Sequence, residues 1–484
     1  MRTDPLPTLP YAAVDASPRA ADRRVPLLLV AAAAYQVLLG LSEGLFDSTL
    51  LLQAPLVMLL AWVAALAPPR VGKLTDRRLA VLGVALLGAQ AITLGFTTHY
   101  YYYRPAAYSF AAAWPMGATF AAAAVVLLRG RGRWALVIAA AVHVAATWWV
   151  VRHGMRPIID VWVFHQDSAA ALLRGENPFA ITFPNVYGHK NRFYSDEVQV
   201  DGRVLFGFPY PPLSLLLYLP SYALTGESRY AHALAYALCA VGIGLVSRRR
   251  GALIAAALLL AAPACFIVIE SAWTEPFVLL MLVLVALAAV HARRWLPVAL
   301  GLFFAVKQYN VIFLPFLFLL LPRPVMSRAS FRFLGWMALT GAVVSLPLAA
   351  WDWPAFWNSD VTIQIKQPFR FDAFSYLALI ANSKPGDFVP PGWWSAIPFA
   401  LLVPTWAVLL WRLPRDVSGF TLGVSVTTIM FLFFNRQAFL NYHTFAAGAL
   451  LLSVATIEAN RRREDEVQPP APSPGTPGED GVWV

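Results

Sequence analysis

Long apolar runs recur along this chain, and they limit its fold more than any other feature. A helix that crosses a bilayer needs roughly 20 consecutive apolar residues. Runs of that kind lie near 26–46, 49–67, 79–97, 109–128, 134–151, 229–247, 251–269, 275–292, 331–351, 393–411, 417–434 and 442–458. Two shorter pieces, 296–306 and 311–321, flank the polar step "VKQYN". Only 13% of the 484 residues are charged, against 59% hydrophobic, whereas soluble domains carry about 25% charged residues. The class is therefore a polytopic, all-α membrane protein.

The net charge of +11 could suit nucleic acid in a soluble protein, but here the basic residues sit in short loops. There they set orientation and meet anionic headgroups, so membrane lipids are the expected partner and nucleic acid is not. Arg19, Arg23 and Arg24 precede the first run; "PPRVGKLTDRR", "RGRGR", "SRRRG", "HARRW", "RPVMSRASFR", "RLPRD" and "NRRRE" follow later ones. All fall on one side if 296–306 and 311–321 form a hairpin of short helices and the Pro-broken stretch 211–226 does not cross. The expected result is about fourteen membrane helices, with both termini cytoplasmic in a plasma membrane. A cytoplasmic disordered segment 1–24 comes first, followed by a four-helix extension (25–130). The core (131–458) has outer segments at 152–228 and 352–392, and a disordered tail (459–484) ends the chain. No cleaved signal peptide is expected before the first run. Cys239 and Cys265 lie inside apolar runs and read as core residues.

Against this background "IIDVWVFHQDSAAALLRGENPF" (158–179) stands out. At 100° per residue, a helix over 160–174 gathers Asp160, Asp167 and Arg174 on one stripe, with Trp162, Ala169 and Leu173 opposite. Such a helix is expected to lie along the membrane surface. Other polar groups sit at the same face. "ESAWTEPF" carries Glu270 and Glu275, with Glu275 expected to cap its helix. "VKQYN" carries Lys307 and Gln308. "IKQPFRFDAFS" carries Lys366, Gln367, Arg370 and Asp372, and "FNRQAFLNYH" carries Asn435, Arg436, Gln437, Tyr442 and His443. Ionisable groups at membrane depth cost about 2.5–3.5 kcal/mol each on insertion scales, so they usually serve a site. Their convergence suggests a cavity for something polar and anionic. His165, His189 and His443 lack the paired spacing of a metal site, and the aromatic runs 99–104 and 390–395 read as interface belts.

These motifs, in this order, resemble the integral-membrane glycosyltransferases of the GT-C superfamily, and among them the polyprenol-phosphate-mannose-dependent mannosyltransferases of the family-87 type. The resemblance covers roughly 134–458. It rests on the Asp-aromatic-Ala-rich stretch ending in "GENPF", on "YPPL" (210–213), on "VKQYN" and on "NRQAFLNYH". It implies a GT-C-like fold, with amphipathic helices in the large outer loop. The implied reaction moves one hexose, mannose favoured, from a polyprenyl-phosphate donor to a hydroxyl of a glycan or lipid acceptor at the outer face, with inversion. Asp160 is then the general base. Lys307, Arg370 and Arg436 are candidate partners for the leaving phosphate, and Gln308, Gln437 and Tyr442 candidate donors. Asp167 is a binder or a support for Arg174, Tyr210 is a candidate to stack on sugar or to serve the interface, and His443 a candidate for a satisfied polar or sugar-contacting role. No cofactor is marked by the motifs, and a divalent cation held by Asp160 and Asp167 is an open alternative. In the family the Asp-bearing loop usually follows the first membrane helix, whereas here four helices precede 134–151. A transporter or flippase for a lipid-linked or anionic solute is the rival reading, and a non-catalytic scaffold the second.

Overall fold

A computed structural model describes residues 21–467 apart from 70, 71, 73, 98–105, 130–132, 155 and 189–192. His189, the aromatic run 99–104 and the two expected disordered ends thus lie wholly or largely outside the described residues. About 74% of the described residues are helical. Among the described residues, eight helices are long and apolar enough to cross a membrane, or nine if one bent pair counts as a single span. The pair is Arg250–Leu260 and Ala264–Glu270, set at 55° to one another. Pro263 lies at the break, where its missing N–H and its ring disrupt the helical ladder. The Glu275–His291 and Val417–Phe433 helices are apolar but only 17 residues long.

Helix ends follow local chemistry. Asp47, Ser327 and Asp416 cap the helices that follow them by accepting backbone N–H bonds. The first span stops at Ser42, short of the expected 46, because Glu43 turns left-handed at φ 58°. The Leu440–Val467 helix is the axis of the bundle: 94% of its apolar window is buried. By contrast, the Arg328–Ala349 window is only 6% buried and presents apolar side chains almost all round, as a lipid-facing helix must. The Arg24–Ser42 helix packs against the axis through a hydrogen bond between Tyr35 and His443. The first helix of the N-terminal extension is thus part of the core.

Lys307 adopts an extended conformation between the Leu296–Ala305 helix and a 3₁₀ segment, Gln308–Leu319. The rings of Phe303 and Phe313 stack at 5.9 Å, and Asn310 Nδ2 donates to the Phe303 carbonyl at 2.6 Å. The chain therefore folds back on itself as a hairpin with Lys307 at its tip. Its second arm is 3₁₀ rather than α, with Pro315 inside it. The Pro212–Thr225 helix has 14 residues, about 21 Å at 1.5 Å per residue, which is too short to cross.

The two ends of the bundle differ. At one end Glu458 accepts from the N–H groups of Gly251 (3.2 Å) and Ala252 (2.8 Å), and Arg415 donates to Phe318 O at 3.1 Å. The opposite end carries the 158–228 segment. Amphipathic helices alone do not build it: three two-residue strands, Phe183–Pro184, Gln199–Val200 and Arg203–Val204, pair antiparallel with the last in the middle.

Candidate active site

The Asp160–Leu173 helix begins at Asp160 itself. Its carboxylate stands at a helix N-terminus, where the backbone dipole favours negative charge. The Val161 N–H donates to Oδ1 at 2.8 Å, Tyr187 donates to Oδ1 at 3.1 Å, and Tyr194 donates to Oδ2. Both tyrosines lie in the loop between the first two short strands. Asn185 Nδ2 donates to Gln199 Oε1 at 2.9 Å, and Gln199 Nε2 donates to Tyr194 O at 3.1 Å, so the sheet fixes the loop over Asp160. Burial, followed by the nearby Asp160 charge, raises both phenols well above their ordinary range. They remain protonated donors. A carboxylate offers about four lone-pair positions, and among the described residues three are used, which leaves one for a reacting proton.

Asp160 lines a cavity of about 430 Å³, within the 300–1,000 Å³ typical of small-molecule sites. Tyr210, Arg370, Gln437 and Tyr442 share its lining, together with Arg156, Trp273 and Glu43. Arg370 is held by a two-point ion pair to Asp372, both bonds at 2.8 Å. The rings of Phe193 and Phe439 lie on it at 4.6 and 4.5 Å. That pair uses two of its five N–H donors, so the guanidinium can still meet an anion.

Other expected site residues lie elsewhere. Asp167 keeps the angular stripe of Asp160, but seven residues carry it about 10 Å along the axis. It is exposed and outside the cavity lining, so it cannot complete a two-aspartate ion site with Asp160. Although the side chain reaches solvent, the neighbouring surface partly desolvates its carboxyl and raises it despite Arg203 and Arg174 nearby. Arg174 pairs instead with Glu176 at 2.8 Å. His443 follows Tyr442 by one residue, and that 100° turn directs it into the bundle against Tyr35, Phe374 and Phe433. Arg436 anchors the 352–392 segment through the carbonyls of Gln364 and Ile365. Gln308 donates to Pro209 O at 3.2 Å. His165 is fully buried, and among the described residues neither of its ring nitrogens has a hydrogen-bond partner.

Lys307 lies one layer behind the cavity. Its ammonium is 3.9 Å from the Tyr210 ring centroid and 3.3 Å from Glu275 Oε1. Both partners are buried, so Glu275 serves as counter-ion to Lys307 as well as standing at its helix start. A charge this deep persists only with such a partner, and Tyr210 separates it from the cavity. Asp360, in a π-helical turn at Asn358–Thr362, is also buried; burial lifts its carboxyl to about 7 against the opposing pull of Lys307.

The tyrosine pair, Arg156 and Glu43 were not legible in the sequence. Nothing marks Tyr187 or Tyr194 among 17 tyrosines, and Glu43 lies within what reads as an apolar run. Glu43 is held left-handed, a conformation that costs a non-glycine residue about 1–3 kcal/mol and tends to persist at functional sites. Among the described residues, no three His, Cys, Asp or Glu side chains cluster as a metal site. No known protein family, curated protein or solved structure matches this chain.

Proposed function

We propose that this protein is a membrane glycosyltransferase that moves a hexose, with mannose favoured, from a polyprenyl phosphate to an acceptor hydroxyl at the outer face of a cell membrane. In this reading the apolar helices form a GT-C-like bundle with both termini in the cytoplasm, and the cavity opens outward. The observation that carries it is a single cavity of about 430 Å³ lined by one well-oriented carboxylate, Asp160, and two guanidinium groups, Arg156 and Arg370.

The chemistry follows from those groups. The acceptor hydroxyl gives its proton to the open lone pair of Asp160 as its oxygen attacks the anomeric carbon. The bond from that carbon to the phosphate oxygen breaks, and polyprenyl phosphate leaves with the electron pair. Arg370 and Arg156 neutralise the leaving phosphate. Phosphate needs no proton to leave, so one carboxylate suffices and the anomeric centre inverts.

The test uses membranes containing the full chain, radiolabelled polyprenyl-phosphate mannose or glucose, and native lipid or glycan acceptors. Wild-type protein should transfer label, and Asp160→Asn should lose at least about 100-fold in rate, the usual contribution of a general base. Unimpaired transfer by Asp160→Asn would remove the carboxylate from the reaction. If wild-type vesicles translocate the lipid-linked sugar without transferring it, the protein is a transporter.

A further inference from the structure

The four-helix N-terminal extension is the part of the chain that the proposed reaction leaves without a task, yet it reaches the site. The Arg24–Ser42 helix delivers Glu43 and Leu45 into the cavity lining. Three contacts fix that delivery: Leu45 bridges to Ala373, the Phe46 N–H donates to Asp372 O at 2.9 Å, and Gly44 lies so close to the Leu440 backbone that no side chain would fit there. Gly44 also takes φ +66°, directly after the left-handed Glu43. Glycine or asparagine is the usual residue at such a helix end; here a glutamate occupies it and lines the cavity.

The geometry points to Glu43 as a ligand-contacting residue that recognises hydroxyl groups of an uncharged hexosyl unit, which makes the N-terminal extension part of the specificity apparatus. This assignment rests on the transferase reading. Among the described residues no hydrogen bond or ion pair engages the Glu43 carboxyl. Asp160 is already committed to Tyr187 and Tyr194, whereas Glu43 keeps its full hydrogen-bonding capacity for a guest. Trp273, in the same lining, offers an aromatic face for a sugar ring. Burial raises the Glu43 carboxyl to about 8, so at neutral pH it is mainly protonated and can both donate to and accept from neighbouring hydroxyls.

Saturation-transfer NMR on the full chain in lipid nanodiscs tests the assignment, with methyl α-D-mannopyranoside and methyl α-D-glucopyranoside as probes. Glu43→Gly removes the side chain while suiting the left-handed backbone, and Glu43→Gln keeps hydrogen-bonding capacity at the same size. Wild-type protein should bind at least one probe. Glu43→Gly should weaken binding about tenfold or more, the loss expected for hydrogen bonds of this kind, with Glu43→Gln intermediate. Equal affinity and an equal proton-contact pattern in wild type and Glu43→Gly would overturn the assignment and leave the transferase reading intact. Absence of probe binding to wild-type protein would also overturn it. The transferase reading falls only if label transfer from the lipid-linked donor is absent as well.

Discussion

Tyr187 donates to Asp160 Oδ1 at 3.1 Å, while the Asp160 backbone N–H donates to the same phenol oxygen at 3.4 Å. One tyrosine thus fixes both the carboxylate and the first turn of its helix, and Tyr194 holds the other carboxylate oxygen. Tyr187→Phe and Tyr194→Phe should each lower kcat for hexose transfer about tenfold, the kinetic equivalent of a hydrogen bond to a charged group. KM should change little. Steady-state assays of both variants decide this, and unchanged kcat in both would mean that the phenols do not orient the base.

Lys307 and Glu275 form a buried pair under Tyr210. Lys307→Met should destabilise the protein by about 3–5 kcal/mol, because it strands the Glu275 charge. Combining it with Glu275→Gln should restore much of that loss. Thermal unfolding of the two variants in matched detergent separates this coupling from a direct role at the substrate, which the double variant would not rescue.

Glu43 links stability to pH with a definite sign. Its carboxyl stands at about 8 in the fold against an ordinary 4.5, so between those values the folded protein binds more protons than the unfolded chain. Stability contributed through this group therefore falls as pH rises across that window. The unfolding midpoint of wild type relative to Glu43→Gln should decline between pH 5 and pH 8.5. A flat difference would mean that Glu43 ionises as it does in water.

Asp167 is exposed and lies beyond the cavity. Asp167→Asn should change stability by less than about 0.5 kcal/mol and leave transfer within about twofold of wild type, in contrast to Asp160→Asn. A large loss of transfer in Asp167→Asn would place a substrate contact outside the cavity described above.

Local pattern carried much of the architecture. The Asp160–Leu173 helix and the break at "VKQYN" are each written in a stretch of neighbouring residues, a Gly-then-Pro stop and a polar step between apolar arms. The 212–225 helix instead runs unbroken through Pro220, against the break its prolines suggested. Where a neighbour's geometry decided, the same reasoning failed. The stripe joining Asp160 to Asp167 was right in angle, but the distance along the helix separates them. Tyr442 and His443, read as one polar step, face different ways because they are adjacent on a helix.

The amino-acid sequence by itself determined the membrane class, the helical content and a carboxylate at the start of the helix over 160–173, because hydropathy and capping act over a few residues. The tertiary structure alone decided which polar groups share a cavity. Residues 43, 160, 370 and 442 are brought together by helix packing, and in a bundle this apolar the lipid-facing and protein-facing sides of a helix carry nearly the same residues. Periodicity therefore cannot tell a helix which way to turn, and only the packed neighbours do.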